Sequence, residues 1–450
     1  MIDSDRLQEL TGKLLMAARK AGADQADALA VMGTAVSIDV RQGRLEQAES
    51  ADGIDIGLRV LIGGRQATIS ASDHSDSTID EIAARAVAMA RVAPVDDALG
   101  LADPDQLAAD RDVTSLDLYD DTPPPTPEGL RDLALRAEAG ALGVKGITQV
   151  ESANASASSR AMWMRASNGF SGGYLRTGYS ISTVAITGEG LGMERDWAGE
   201  SRSHSADLPT PEEIGQLAGQ RTVERHGARK PPTGTFPILY DQRVSSGLIG
   251  HLLGAVNGAA IARGSSWLLR SLGEQILPAW IDLREEPHLP RMGASRKFDG
   301  EGLPTAARDI IRQGVLMGWT LDLTSGRKLG MDSTANASRG VGSAPAPGVT
   351  NIAITPGTAT PEALIREMGR GLLVTSMLGA SINPTTGDYS RGAAGFWVEN
   401  GEIAYPVNEC TIAGNLIEML ATITPANDVP AWRSHAIPSL LVEGLTVAGA

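Results

Sequence analysis

The sequence predicts an α+β fold: two similar helix-plus-antiparallel-sheet units in tandem in the N-terminal half, then a mostly antiparallel β domain with a few helices. Three observations point there. Helical and alternating apolar patterns succeed one another twice within residues 1–230. Past Pro231-Pro232 the chain turns to short alternating runs punctuated by Gln-Gly, Asn-Gly and Pro/Gly turns. A chain of 450 residues also exceeds what one simple core accommodates, so two or three domains are expected. The predicted division is 1–230, with units at about 1–92 and 122–230 joined by an acidic linker, and 231–450.

In order along the chain, Leu7, Leu10, Leu14 and Ala18 recur at helical spacing over 5–21, with Ser4 as a candidate cap and Gly22 as the stop. The period then becomes two, first at Val36, Ile38 and Val40, then at Ile54, Ile56, Leu58, Val60 and Ile62. Gly63-Gly64 offers a hairpin turn into "RQATISAS", and "STIDEIAARAVAMARV" predicts a helix over about 77–91. The stretch 93–121 holds nine aspartates against a single basic residue, Arg111. It is expected to be an exposed connection, closed in extended form by "DTPPPTPE".

The first pattern then recurs. Leu130, Leu133, Ala134 and Ala137 mark a helix, and strands run from "ITQVESANASASS" through "GGYLRTGYSISTVAITG". Asp52-Gly53 and Asn168-Gly169 occupy matching places in the two units and are both expected to turn. Thr210 with Glu213 makes a capping box for a helix at about 211–226. "KPPTG" (230–234) reads as the linker, and "TFPILY" as the first strand of the second domain. "GLIGHLLGAVNGAA" (247–260) reads as a helix; hairpins turn at Gln313-Gly314 and Asn400-Gly401, with the loop "GSAPAPG" (342–348) between them.

The net charge of −15 and a pI near 4.9 disfavour nucleic acid as a partner. The densest basic run, "ERHGARK" (224–230), reads as a solvated helix end beside a linker. The single cysteine, Cys410, excludes an intrachain disulfide and fits a reducing compartment. "MIDSDRLQEL" lacks an apolar signal core, and apolar stretches such as 371–380 are too short to span a bilayer. A cytoplasmic chain with no membrane and no nucleic-acid contact is therefore expected.

Several stretches invite a chemical reading. A zinc hydrolase helix needs ligands on one face and a carboxylate to take a proton from water. In 247–260 the polar side chains are only His251 and Asn257, while Gly250, Gly254, Ala255 and Gly258 suit close helix packing. The histidines (His74, His204, His226, His251, His288, His435) include no pair at i,i+4. His288 stands beside Glu285 and Glu286 in what reads as a loop with surface charges. Cys410 in "NECTIAGNL" reads as a small buried apolar residue. Asp299 and Glu301 in "FDGEG" read as a turn, because the twelve-residue calcium-loop pattern is missing. "GEGLGM" (188–193) lacks the strand–turn–helix setting of a nucleotide site, and neither GxSxG nor GKS/GKT occurs. By residue chemistry alone the chain has no self-sufficient active site.

Longer segments do resemble a family. "SSGLIGHLLGAVNGAAIARGSSWL", "SLGEQILPAWIDLREEPHLP", "FDGEGLPTAARDIIRQGVLMGWTLD", "SGRKLGM", "NPTTGDYSRGAAGFWVENGEIAYPVNECTIAGNL" and "PSLLVEGLTVAGA" follow one another over roughly 245–450. In that succession the chain resembles the TldD/TldE family, also called modulators of DNA gyrase, and within it the TldE (PmbA) branch. "GRLEQAESADGIDIGLRV" and "GLADP" extend the likeness more loosely into the N-terminal half.

The resemblance implies a two-subunit zinc peptidase acting on unfolded peptides. Its TldD member carries an HExxxH helix, with a further cysteine ligand near the C-terminus. Here Leu253 and Gly258 stand at the two histidine positions and Gly254 at the glutamate, while Arg433-Ser434-His435 stands where that cysteine is expected. The resemblance thus implies no catalytic residue, no metal and no cofactor in this chain. Zinc and catalysis belong to a TldD-like partner in a heterodimer, and this chain supplies a cavity wall that guides peptide. His251, Asn257, Thr386, Gly387, Asp388 and Tyr389 are the candidates for lining the substrate groove. Two alternatives stay open: a divergent metallohydrolase using His251 with His288 or His435, and a non-enzymatic regulator associated with DNA gyrase.

Overall fold

The first 18-residue helix, α1 (Ser4–Ala21), buries Leu7, Leu10 and Leu14 on one side, as their spacing requires. It stops at Gly22, whose φ of +99° only glycine adopts freely and whose N–H donates to the Arg19 carbonyl. The computed structural model describes residues 4–449, the side chains of Leu191 and Ala380 excepted. Three strands follow, β1 (Gln25–Arg41), β2 (Arg44–Ile62) and β3 (Arg65–Ala71), then α2 (Asp76–Val92). The same order repeats in α3 (Pro127–Leu142), β4 (Ile147–Ala166), β5 (Ser171–Thr187), β6 (Glu194–Arg202) and α4 (Pro211–Glu224). Ser75, Thr126 and Thr210 cap α2, α3 and α4, and Thr210 with Glu213 forms the expected capping box.

The two units share one antiparallel sheet of order β3-β2-β1-β4-β5-β6, joined where β1 pairs with β4. All four helices lie on one face. α1 and α2 cover Ala28, Ala30, Leu58 and Ala161; α3 and α4 cover Ile38, Val40, Ala155 and Ile181.

One expected turn is absent. Asp52-Gly53 lies in mid-strand, opposite Thr34 and Gly33, and the hairpin turns instead at Gln42-Gly43, with φ of +54° and +69°. β3 pairs only with residues 56–62 of β2. Residues 44–55 therefore have a strand partner on one side alone, and the small polar residues there mimic turn chemistry while forming an exposed edge.

The acidic stretch is also not an exposed connection. Leu101, Ala108, Leu116 and Leu118 are buried against the sheet face opposite the helices, together with Leu29, Met164, Phe170, Tyr174 and Phe298. Its aspartates reach across to the C-terminal half: Asp96 to Lys328 (2.6 Å), Asp117 to Arg291 (2.6 Å) and Asp110 to Lys297 (3.6 Å). Arg327 donates to the carbonyls of Ala98 and Leu101. The segment is a strap that fastens the two halves, and its acidity complements the basic residues it meets.

The C-terminal half opens with β7 (Gly234–Tyr240), α5 (Gln242–Ala255) and α6 (Gly258–Ala262). Next come β8 (Leu283–Glu285), β9 (Arg308–Arg312), β10 (Val315–Leu316), α7 (Leu323–Leu329), β11 (Ala337–Ser338), β12 (Ala346–Pro347), β13 (Ile352–Ile354) and α8 (Pro361–Met368). The chain ends in β14 (Gly371–Ile382), β15 (Asp388–Glu399), β16 (Glu402–Asn415), α9 (Leu416–Ala421), β17 (Thr424–Pro425), β18 (His435–Ala436) and β19 (Leu440–Ala448). Strands β16, β15, β14, β7 and β19 close into a barrel through the β16–β19 pairing; only β7–β14 is parallel among them. A second sheet has the order β10-β9-β8-β13-β18. The hairpins turn at Gln313-Gly314 and Asn400-Gly401 as expected, all four residues having positive φ. Among the described residues no helix is long and apolar enough to cross a membrane.

The halves meet at a buried ion triad. The Arg59 guanidinium lies 2.5 Å from Asp27, and Arg339 of the C-terminal half pairs with the other Asp27 oxygen. Burial works to raise the Asp27 pKa, yet the two guanidiniums hold it below the usual carboxylate range.

Candidate functional site

The stretch read as one helix over 247–260 is two. α5 ends at Ala255, and Asn257 caps α6: its side-chain oxygen accepts the Ala259 N–H (3.0 Å) and its amide donates to the Pro347 carbonyl (2.9 Å). An asparagine offers the backbone this alternative to helix continuation. The close packing expected of Gly250 and Gly254 is not there. Both are exposed, and a Cβ added at either meets nothing within 4 Å. Gly258 is the tight one: a Cβ would lie 2.4 Å from Leu321 Cδ2, 2.7 Å from Ser325 Oγ and 2.9 Å from the Thr320 carbonyl. The Gly258 N–H donates to that same carbonyl, at 2.8 Å, which fixes the approach.

Of the positions that the family resemblance sets at the metal machinery, Leu253 packs in the C-terminal core, Gly254 is bare and solvent-facing, and Gly258 has no room for a side chain. Among the described residues no group of three or more His, Cys, Asp and Glu is placed to hold a metal. The donor set here does not fit zinc. A cleft of about 230 Å³ runs beside α6, lined in part by Arg59, Arg263, Lys328 and Asp322. Asp322 caps α7, accepting the Ser325 N–H at 2.8 Å.

His251 and Tyr389 do come together, ring centroids 5.9 Å apart and edge to face. His251 Nε2 and the Tyr240 hydroxyl are buried without a hydrogen-bond partner among the described residues. Burial, then the nearby Arg391, lowers the His251 pKa, so the ring is neutral at physiological pH. Thr386 and Asp388 lie exposed beyond the tip of β14, hydrogen-bonded to each other (2.6 Å) and both tied to Asn415. Gly387, at φ +79°, lies against the Trp267 ring, and Tyr389 is buried. The predicted set thus divides into one aromatic pair, one turn and one helix cap.

The remaining candidates resolve individually. Cys410 is buried, its thiol donates to the Ala393 carbonyl, and burial pushes its pKa up to about 11, which leaves it inert as a nucleophile. His288 Nε2 lies 3.0 Å from the Thr305 hydroxyl. Glu285 is no surface charge: it is buried, paired with Arg308 (2.8 Å) and hydrogen-bonded by Asn336 and Thr350. Asp299 forms the expected turn, accepting the N–H groups of Glu301, Leu303 and Ala337. Burial, then Asp299, pushes the Glu301 pKa up to about 8. The run "ERHGARK" is not simply a solvated end, since Arg225 is buried between Glu194 and Asp196 and Arg229 stacks on Tyr405. Sequence reasoning missed Arg176, Arg296 and Arg339, which line one cavity. They share no local motif, and only the docking of the two halves assembles them.

Comparison with known proteins covers nearly the whole chain. Family models described as PmbA/TldA metallopeptidase domain 1, central domain and C-terminal domain match residues 26–90, 120–225 and 233–449. Metalloprotease PmbA of Escherichia coli O157:H7 is 39% identical over 429 residues, covering 95% of this chain and 92% of the relative. The metalloprotease PmbA homolog of Haemophilus influenzae is 35% identical over 435 residues, covering 96% and 94%. The crystal structure of a proposed modulator of DNA gyrase from Bacteroides thetaiotaomicron matches with a TM-score of 0.90 at 29% identity over all of both chains. TldE from Thermococcus kodakarensis, 20% identical, shares the fold with a TM-score of 0.83, covering 98% of this chain and 100% of that one.

Proposed function

The chain belongs to the PmbA/TldA metallopeptidase family, and on that premise we propose that it serves as the TldE-like subunit of a two-chain peptidase: it binds no metal and shapes the cavity in which a TldD-like partner hydrolyses unfolded peptide. The observation that carries this is Gly258. A Cβ at the position that would need an imidazole would lie 2.4 Å from Leu321, so that position is not merely stripped of its ligand but closed by packing. The neighbouring Gly254 offers no carboxylate to deprotonate water.

Peptide guidance draws support from β2. Its residues 44–55 present an unpaired strand edge, exposed almost throughout and long enough to register an extended chain. Main-chain pairing at such an edge is indifferent to most side chains, which suits a broad range of unfolded substrates. An open groove of about 700 Å³ adjoins it, floored by small residues that include Gly33, Ala35 and Gly53.

The experiment is hydrolysis of an unstructured peptide by the purified chain, by a TldD-like chain and by their mixture. The expected result is no turnover by this chain alone and turnover by the mixture exceeding that of the partner alone. Turnover by this chain alone, abolished by a chelator, overturns the proposal.

A further inference from the structure

A cavity of about 280 Å³ lies at the seam between the N-terminal sheet and the C-terminal domain. One wall is apolar, formed by Leu29, Met162, Met164 and Phe298; the other carries Arg176, Arg296 and Arg339. Arg176 donates to the carbonyls of Gly293 (2.8 Å) and Ser295 (2.6 Å), and Arg296 to those of Ala337 (2.9 Å) and Gly348 (2.8 Å). Arg339 has a side chain only 2% exposed and is paired with Asp27 through Nη1. Its Nε and Nη2, like Nε of Arg296, are buried with no hydrogen-bond partner among the described residues.

Three guanidiniums in one lining, faced by a single carboxylate, make the space electropositive, and that excess charge calls for an anion. No side chain present meets that need. Asp299, the one carboxylate in the lining, already accepts three backbone N–H groups, and Asp27 is shared by Arg59 and Arg339. Gly293 and Ser338 in the lining are exposed, so solvent and solutes can reach the space.

We propose that this cavity is an anion subsite that takes the C-terminal carboxylate of a peptide, with the terminal side chain against the apolar wall. The guanidinium fork matches a carboxylate in geometry as well as charge. The volume lies at the low end for ligand pockets, enough for a terminal residue and not for the interior of a chain. The identity of the anion as a peptide end rests on the peptidase proposal above; the anion subsite itself does not.

Calorimetric titration of the full chain alone, without a partner, tests this with N-acetyl-leucine, its amide and sodium phosphate as probes. Saturable binding of N-acetyl-leucine is expected, with the amide and phosphate each at least about tenfold weaker, since the charge-assisted bonds and the apolar wall are both required. Arg339→Gln removes the unpartnered donors. Ala294→Phe fills the cavity and leaves every arginine in place. Each is expected to weaken N-acetyl-leucine at least about tenfold; the thermal melt is expected to fall for Arg339→Gln, which also breaks the Asp27 triad, and to stay near that of the wild type for Ala294→Phe, which therefore carries the test. Equal binding of acid and amide, phosphate as tight as the acid, no binding at millimolar probe, or unchanged binding by Ala294→Phe would each overturn the subsite. These outcomes are read without a partner, so they fail or succeed independently of partner-dependent hydrolysis.

Discussion

At the scale of single residues, Gly254 and Gly258 show how two glycines four positions apart differ in what they permit. A Cβ at Gly258 meets Leu321, Ser325 and the Thr320 carbonyl at 2.4–2.9 Å, so Gly258→Ala is expected to destabilise by about 1 to 3 kcal/mol through overpacking. Gly254→Ala meets nothing, and should raise stability by up to about 1 kcal/mol through helix propensity. Urea midpoints of the two variants decide it; the reverse order would show that the packing account of the α5–α6 segment is wrong. Glu301 gives a pH test. Its folded pKa, raised from 4.5 to about 8, means that its contribution to stability is complete below pH 4.5 and is lost as pH rises through about 8, since over that range the unfolded chain ionises first. Glu301→Gln can still accept the Leu323 N–H and should be more stable than wild type at pH 8, the gap closing at acid pH. A gap that widens on acidification would contradict the burial argument. The chemistry of these residues was partly legible in the sequence. Missing carboxylates follow from residue type, whereas the inertness of Cys410 depends on its burial and the closure of Gly258 on Leu321, sixty-odd positions away.

At the scale of elements, the strap over 93–121 separates composition from structure. Its nine aspartates give the segment the composition of a solvated linker, yet Leu101, Leu116 and Leu118 between them anchor it. Leu116→Ala should cost about 2 to 5 kcal/mol, as for a core leucine, where a solvated linker would lose under about 0.5 kcal/mol. Arg291→Ala breaks half-exposed pairs with Asp117 and Asp207 and should cost far less than Leu116→Ala, the loss shrinking further in high salt. A larger loss from Arg291→Ala than from Leu116→Ala would mean that charge, not apolar contact, fastens the strap. The tandem helices and strands were readable because their periods are long and regular. The Asp52-Gly53 error arose because a Gly-containing dipeptide is a turn signal only when the ladder on either side ends, and here β1 continues to pair through it.

At the scale of the whole molecule, two halves that the sequence presents as independent are joined by the Asp27–Arg59–Arg339 triad, the strap and the arginine-lined cavity. None of these is a local pattern, which is why they escaped a reading made along the chain. The barrel formed by closure of β16 on β19 was likewise invisible, because register between distant strands is set by packing and not by period. Family resemblance was legible in long ordered segments, and it located the α5–α6 segment on which the proposed function turns. The central claim concerns that segment. The most direct measurement is the zinc content of the purified chain after equilibration with excess metal and gel filtration. The account predicts none bound in stoichiometric amount. Retained stoichiometric zinc, lost when residues around Leu253–Gly258 are altered, would contradict it.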